Sequence, residues 1–406
     1  MFMSKPSSAS EKRPKALFVS PECPYPAVGG GALRSASLLE YLCAAYDTDL
    51  ILFEQNGAPD PQSRIPPGKV RRSRTIWLPH HSKGSVARGI RNLLRLVRNR
   101  PPLLDRFAGF EADIGEFVGE SSYDLAVVEH FWCAPYLAQL RPFSKVIWLD
   151  LHNIESEWHQ SVARSSDKIL AAIHKHFAQC CLEQERLWLP KFDLLLVTSV
   201  QDAERLRRIA PDSKSIVYPN ALPLSTPLER ERKDVVAFSG NLEYEPNRMA
   251  VRYFFREIWP ALRHEWPAVK WRIIGKNPHA VANIVAEDTR IELAGPVEDA
   301  VAELAQAKVA VVPLLAGSGT RVKILEAWAA ATAVVSTSVG AEGLECRNGQ
   351  HLLIADDPLQ FAKRVSELLS CEEKRVQIGE CGRALYVERY TWNAAWRLLG
   401  GGVAAR

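Results

Sequence analysis

The chain has 406 residues, 47% hydrophobic and 24% charged, which is enough for two domains with cores of their own. A net charge of +4 is too mild to mark nucleic acid as a partner. The eight cysteines form no CxxC pair and no metal-ligand spacing with histidine, so they read as reduced, mostly buried thiols of a cytoplasmic protein. Residues 1–14 are polar and charged, lack the apolar core of a signal peptide and are expected to be a disordered tail. No apolar run reaches the length of a membrane span.

The first strand is Ala16 to Ser20. Gly29, Gly30 and Gly31 follow, before a helix expected from about Ala32; three glycines permit either close backbone approach to a ligand or a plain tight turn. This is not the GxGxxG pattern of a dinucleotide site, so no nicotinamide cofactor is indicated. Strands are expected at Leu50–Phe53 and Thr75–Leu78. The segment 85–98 reads as a basic amphipathic helix, with Val86, Ile90, Leu93, Leu94 and Val97 on one face and Arg88, Arg91, Arg95 and Arg98 largely on the other. Such a helix fits either an anionic membrane surface or an ordinary domain with a solvated polar face.

Two apolar strands follow aromatic–Asp pairs, at Tyr123–His130 and Phe192–Ser199, and between them Val146–Leu149 runs into Asp150, Leu151, His152 and Asn153. Sites in open parallel sheets lie beyond the carboxyl ends of strands, which makes His130, Asp150, His152, Asn153, Ser199 and Asp202 candidates. Asp150 and His152 could begin a metal site, but no third or fourth ligand has helpful spacing, and none is expected. The proline-rich, charged stretch from Leu222 to Asp234 reads as a linker between domains spanning 15–225 and 226–387.

The second domain repeats the alternation of strands and helices. The strand Val236–Ser239 leads into Gly240 and Asn241, then a helix from about Arg248 to Arg263. Further strands are expected at Trp271–Ile274, Ile291–Leu293, Val309–Val312, Ala333–Ser336 and Leu352–Ile354. Between the fourth and fifth of these six lies AGSGTRVKILEAWAA, a loop of Gly317, Ser318, Gly319 and Thr320 opening a helix. A helix N-terminus favours anions. Arg321 and Lys323 in the first turn therefore make sense if an anion fills the gap, and Glu326 on the Lys323 face suits sugar or ribose hydroxyls. A surface helix with a cationic first turn has the same spacing. Residues 388–406 hold a last amphipathic helix with Trp392 and Trp396. The class is α/β with parallel sheets, and a cleft between two such domains is where a ligand would bind.

The GGG loop, the DLHN segment, FSGNLEYEPN, and GSGTRVKILEAWA followed by AVVSTSVGAEGL together resemble retaining glycosyltransferases of the GT-B fold, family 4 type, along nearly the whole chain. The resemblance implies two facing Rossmann-like domains and a nucleotide-sugar donor held mainly by the second. It also implies no metal or other cofactor, and a last helix that crosses back to the first domain. On it, Glu326 matches the second signature glutamate, a ribose ligand, while the first falls on Ser318. The Arg and Lys that often bind the donor diphosphate are replaced by Asn241 and Asn247, so Arg321 and Lys323 are expected to have taken over. His152 matches a histidine near the transferred sugar, positioned by Asp150 and Asn153. Gly30, Gly31 and Gly240 match loops near the donor, and Glu342 lies loosely near the nucleotide. The basic amphipathic helix at 85–98 points to a glycan or lipid-linked acceptor and to contact with an anionic membrane on the cytoplasmic face. A sugar-nucleotide epimerase or a non-catalytic binding protein on the same fold are the alternatives.

Overall fold

The computed structural model describes residues 13–80, 85–165, 168–226, 230–316 and 321–403, with the backbone alone at 85–88, 165 and 401–403. A seven-stranded sheet is built from β1 (Lys15–Ser20), β2 (Asp47–Gln55), β3 (Arg72–Leu78), β4 (Tyr123–Glu129), β5 (Ser144–Asp150), β6 (Leu194–Val197) and β7 (Ser215–Val217), in the order β3-β2-β1-β4-β5-β6-β7. A six-stranded sheet is built from β8 (Lys233–Ser239), β9 (Lys270–Ile274), β10 (Ile291–Gly295), β11 (Ala307–Val312), β12 (Ala333–Ser336) and β13 (Leu353–Ile354), in the order β10-β9-β8-β11-β12-β13. Every strand pair is parallel. Helices cover both faces of such sheets, which is why the strands read as unbroken apolar runs.

The first sheet has a core on each face. Leu17 and Val19 belong to one, and Ala16 and Phe18 to the other, as the two-residue period of a strand requires. The second sheet has a continuous core in which Phe254, Trp259 and Trp271 are fully buried. In both sheets the strand order reverses at one place, between β1 and β4 and between β8 and β11. Crevices at the carboxyl ends of strands on either side of such a reversal are where ligands of open α/β sheets bind.

Several expected elements differ in extent. The helix expected at 248–263 is three pieces, Glu245–Tyr253, a wide turn at Phe254–Ile258, and Trp259–Glu265. Pro260 has no N–H to continue the helical ladder, and the backbone widens just before it. The helix after the glycine loop is shorter, Val322–Ala329, with Arg321 at its N-cap. After β12 a short helix, Ser338–Ala341, is capped by Thr337. Two long helices, Glu155–Ser165 and Lys168–Trp188, were not expected at all.

The last helix, Trp392–Val403, lies against the first sheet's domain. Ala395 and Leu399 join the core that holds Phe18 and Leu38, and the Trp396 indole N–H donates to the Ser37 carbonyl at 3.0 Å.

Candidate active site

At the first reversal, Ser20 ends β1 and Glu129 ends β4, and the Ser20 hydroxyl donates to Glu129 Oε2 at 2.6 Å. His152 follows β5, with Nε2 3.3 Å from Glu129 Oε1 and 3.2 Å from Asp150 Oδ2. All three side chains are buried. Burial alone would keep the imidazole neutral, but the Asp150 and Glu129 carboxylates outweigh it and raise the His152 pKa to about 9. Burial likewise opposes ionisation of Asp150, but Arg34 and His152 outweigh it and hold the carboxyl below the usual carboxylate range. Arg34, from the helix Gly30–Ala45, donates through Nε to Asp150 Oδ2 at 2.8 Å and through a terminal nitrogen to Asn220 Oδ1 at 3.2 Å.

The sequence reading found no third ligand to join Asp150 and His152. Glu129 supplies one: ligand atoms of the three lie within 4.8 Å of one another. The cluster already carries its own counter-charges, however, with the Arg34 guanidinium and the His152 imidazolium facing two carboxylates. His130 stacks between this cluster and Trp132, with ring centroids 3.6 Å from His152 and 4.1 Å from Trp132. Burial, reinforced by the charge on His152, keeps His130 neutral. Its φ of 59° is unusual for a side-chain-bearing residue, and such strain persists only where the surroundings impose it.

At the second reversal, Ser239 ends β8, and its hydroxyl donates to Glu326 Oε2 at 3.0 Å. Lys323, one turn earlier on the Val322–Ala329 helix, donates to Asn247 Oδ1 at 3.0 Å. Asn247 in turn donates to the Asn241 carbonyl at 2.8 Å. Gly240 makes this packing possible, because a Cβ there would come within 2.8 Å of Asn247 Nδ2. Burial and the nearby Arg321 lower the Lys323 pKa to about 8, against the pull of Glu326, while burial raises that of Glu326. Arg321 donates to the Val339 carbonyl at 3.2 Å, with Glu342 3.8 Å away. Glu342 also meets Arg205 of the first domain at 3.3 Å.

The glycine loop connects the two clusters. A Cβ at Gly31 would be 3.9 Å from His152 Nδ1, and one at Gly30 would be 3.4 Å from Val322 Cγ2. The start of the helix Gly30–Ala45 thus lies between His152 of the first domain and the start of the Lys323 helix of the second, close to both. Asn153 sits half-buried just after His152. Gly317, Ser318, Gly319 and Thr320 lie outside the described residues.

Two candidates have another job. The Ser199 hydroxyl accepts from the Asp202 N–H at 3.1 Å and donates to its carboxylate at 2.9 Å, forming the N-cap of the helix Val200–Ile209. Glu129, Arg34 and Ser239 were not among the candidates. An acidic residue closing an apolar strand beside His130 was the available signal for Glu129. An arginine among the small and apolar residues of a glycine-loop helix was the signal for Arg34.

The family model for Glycosyl transferases group 1 matches residues 233–371, so the second sheet and its helices form a domain of that family. Along 365 residues the chain is 23% identical to an uncharacterized 44.6 kDa protein in the cps region of Klebsiella pneumoniae, covering 86% of this chain and 90% of that one. Among solved structures, sucrose-phosphate synthase from Thermosynechococcus elongatus superposes with a TM-score of 0.73 at 18% identity, over 96% of this chain and 98% of that one. HepE of Anabaena, in complex with UDP and glucose, gives 0.66 at 14% identity, over 97% and 100%. The two parallel sheets are thus the GT-B fold.

Proposed function

We propose that this chain, a GT-B protein with a group 1 glycosyltransferase domain, moves a sugar from a nucleoside diphosphate donor to an acceptor hydroxyl, with retention. One observation carries the proposal: the Gly30–Gly31 backbone, at the start of the helix Gly30–Ala45, lies between His152 and the start of the Lys323–Glu326 helix. Lys323 would meet the diphosphate, which gains negative charge as the bond to the sugar breaks. Charge fixed in place beforehand stabilises that change most effectively. Arg321 would share this task from the same helix start, and Glu326 with Ser239 would hold ribose hydroxyls. His152, protonated below pH of about 9, would face the transferred sugar, held in orientation by Glu129 and Asp150.

Arg34 and His152 place two positive charges where a metal would otherwise balance Glu129 and Asp150, which supports metal-independent chemistry. Acid–base demands are small in such a transfer, and closure of the cleft would keep water from competing as acceptor. The HepE complex supports UDP as the nucleotide, and the cps-region relative supports polysaccharide or glycolipid synthesis. The helix Ser85–Val97 exposes Ile90, Leu93, Leu94 and Val97, which supports contact with an anionic membrane on the cytoplasmic face.

The test is a thermal-shift screen of the pure protein against UDP, GDP, dTDP, ADP and CMP and their common sugars, without added metal. Binding to the native state raises the melting temperature by mass action. One nucleoside diphosphate and its sugars should stand clear of the rest. No shift from any of them at millimolar concentration would overturn the proposal.

A further inference from the structure

The first domain holds a cavity of about 370 Å³ behind the His152 cluster. Its walls include Leu96, Leu103, Trp132, Trp158, Ile173 and Phe177, drawn from the helices Ser85–Val97, Pro102–Arg106, Glu155–Ser165 and Lys168–Trp188 and from the turn after β4. Its titratable groups are held largely uncharged by burial. Glu155 accepts from the Trp132 indole N–H at 3.0 Å, and burial raises its pKa to about 8. The Nδ1 atoms of His159 and His174 are 2.9 Å apart, and burial lowers the pKa of both imidazoles, that of His159 to about 4. A cavity of this size, mostly apolar and without a fixed charge, suits a hydrocarbon body rather than a sugar or nucleotide.

Its position gives that body a direction. At the inner end, Trp132 stacks on His130, which stacks on His152, so the cavity is separated from the polar cluster by aromatic rings. At the outer end, Leu170 lines the cavity and is 42% exposed, beside Ile169 at 78%. Leu93 and Val97 stand out from the neighbouring helix at 61% and 74%. The sequence reading put the arginines of this helix on its solvated face, but Arg95 turns inward and pairs with Asp105 at 2.9 Å. Arg98 and Arg100 remain exposed at the helix end, and residues 85–100 contain no acidic side chain. An apolar mouth with exposed arginines just before the lining residues Pro101 and Pro102 complements an anionic amphiphile.

We infer that this cavity takes the aliphatic tail of a lipid-linked, phosphate-bearing acceptor, with the phosphate at the outer mouth on the side of Arg98 and Arg100. The inference rests on the transferase reading for what the lipid is used for, while the binding itself is independent of any donor.

The test is calorimetric titration of the full-length protein with farnesyl phosphate below its aggregation concentration, with inorganic phosphate as the control and with UDP titrated separately. Farnesyl phosphate should bind and inorganic phosphate should not. Ile173→Trp, which fills the cavity, should weaken farnesyl phosphate by about tenfold or more and leave UDP binding as it was. Leu103→Phe provides a milder filling if the first variant does not fold. Equal farnesyl phosphate affinity in the wild type and a folded filled variant would overturn the inference. So would no farnesyl phosphate binding by a wild type that still binds phosphatidylglycerol vesicles, since the apolar face would then act at the surface alone. Farnesyl phosphate binding without UDP binding would support the cavity and defeat the donor reading instead.

Discussion

Replacing Glu129 by Gln keeps the shape of the side chain and its contact with the Ser20 hydroxyl, and removes one negative charge 3.3 Å from His152 Nε2. In the wild type the imidazole titrates at about 9, against an ordinary value of 6.5. That shift corresponds to about 3.4 kcal/mol of preference for the imidazolium, at 1.36 kcal/mol per pKa unit. It is the surplus of two carboxylates over the burial penalty. With Glu129 neutral, only Asp150 remains, and Arg34 already claims both its oxygens. The midpoint should then fall by about one to two units, since burial is unchanged and the attraction is roughly halved. Histidine-labelled protein, with His152→Gln identifying the resonance, gives this midpoint directly by NMR titration.

The same group links stability to pH. Its folded pKa lies above its unfolded one, so its stabilisation is fully present below pH 6.5 and is lost as pH rises through about 9. Denaturant melts at pH 6 and pH 9.5 should show a smaller loss in Glu129→Gln than in the wild type. A His152 midpoint that stays within half a unit of the wild-type value would refute the coupling, and with it the assignment of Glu129 to this site.

Other expectations follow from single contacts. Arg34→Met leaves Asp150 buried beside an imidazolium alone, and should cost about 3–5 kcal/mol in chemical denaturation; a loss under 1 kcal/mol would show that Asp150 is satisfied without it. Glu326→Ala removes the partner of Ser239 and should weaken nucleotide-sugar binding; an unchanged dissociation constant would remove the residue from the donor site. Ser199→Ala should cost about 1 kcal/mol through its lost helix cap and leave turnover unchanged; a collapse of turnover at full stability would return Ser199 to the candidates. Because free Lys323 titrates at about 8, diphosphate affinity should fall as pH rises above 8. Flat affinity from pH 7 to 10 would contradict a bond between Lys323 and the diphosphate.

The parallel sheets were legible because strands covered on both faces leave continuous apolar runs such as Ala16–Ser20 and Val309–Val312. The long helices Glu155–Ser165 and Lys168–Trp188 were not legible. Ile169, Ile173, Phe177 and Cys181 do recur every four residues in the second, but charged and small residues crowd between them, and much of the apolar surface lines a cavity rather than a core. Asp150 and His152 could be singled out because position decides: one closes a strand and the other follows it by two residues. Arg34 was not found, since it is 116 positions from Asp150 and only the fold brings the two together. Ser199 and Asp202 show that a polar pair at a strand end can also serve to cap a helix. The split between Lys323, which faces Asn247, and Arg321, which faces Glu342, was likewise invisible, because side chains two positions apart on a helix start point in different directions.

The account stands most directly on one comparison, UDP titrated calorimetrically into the wild type and Lys323→Met at pH 7 without added metal. Lys323 is predicted to be the cation that meets the diphosphate, so the variant should remain folded and bind UDP at least about tenfold more weakly, a difference of about 1.4 kcal/mol. Equal affinity in the two proteins would contradict the placement of the donor at the Ser239, Asn247, Lys323 and Glu326 cluster.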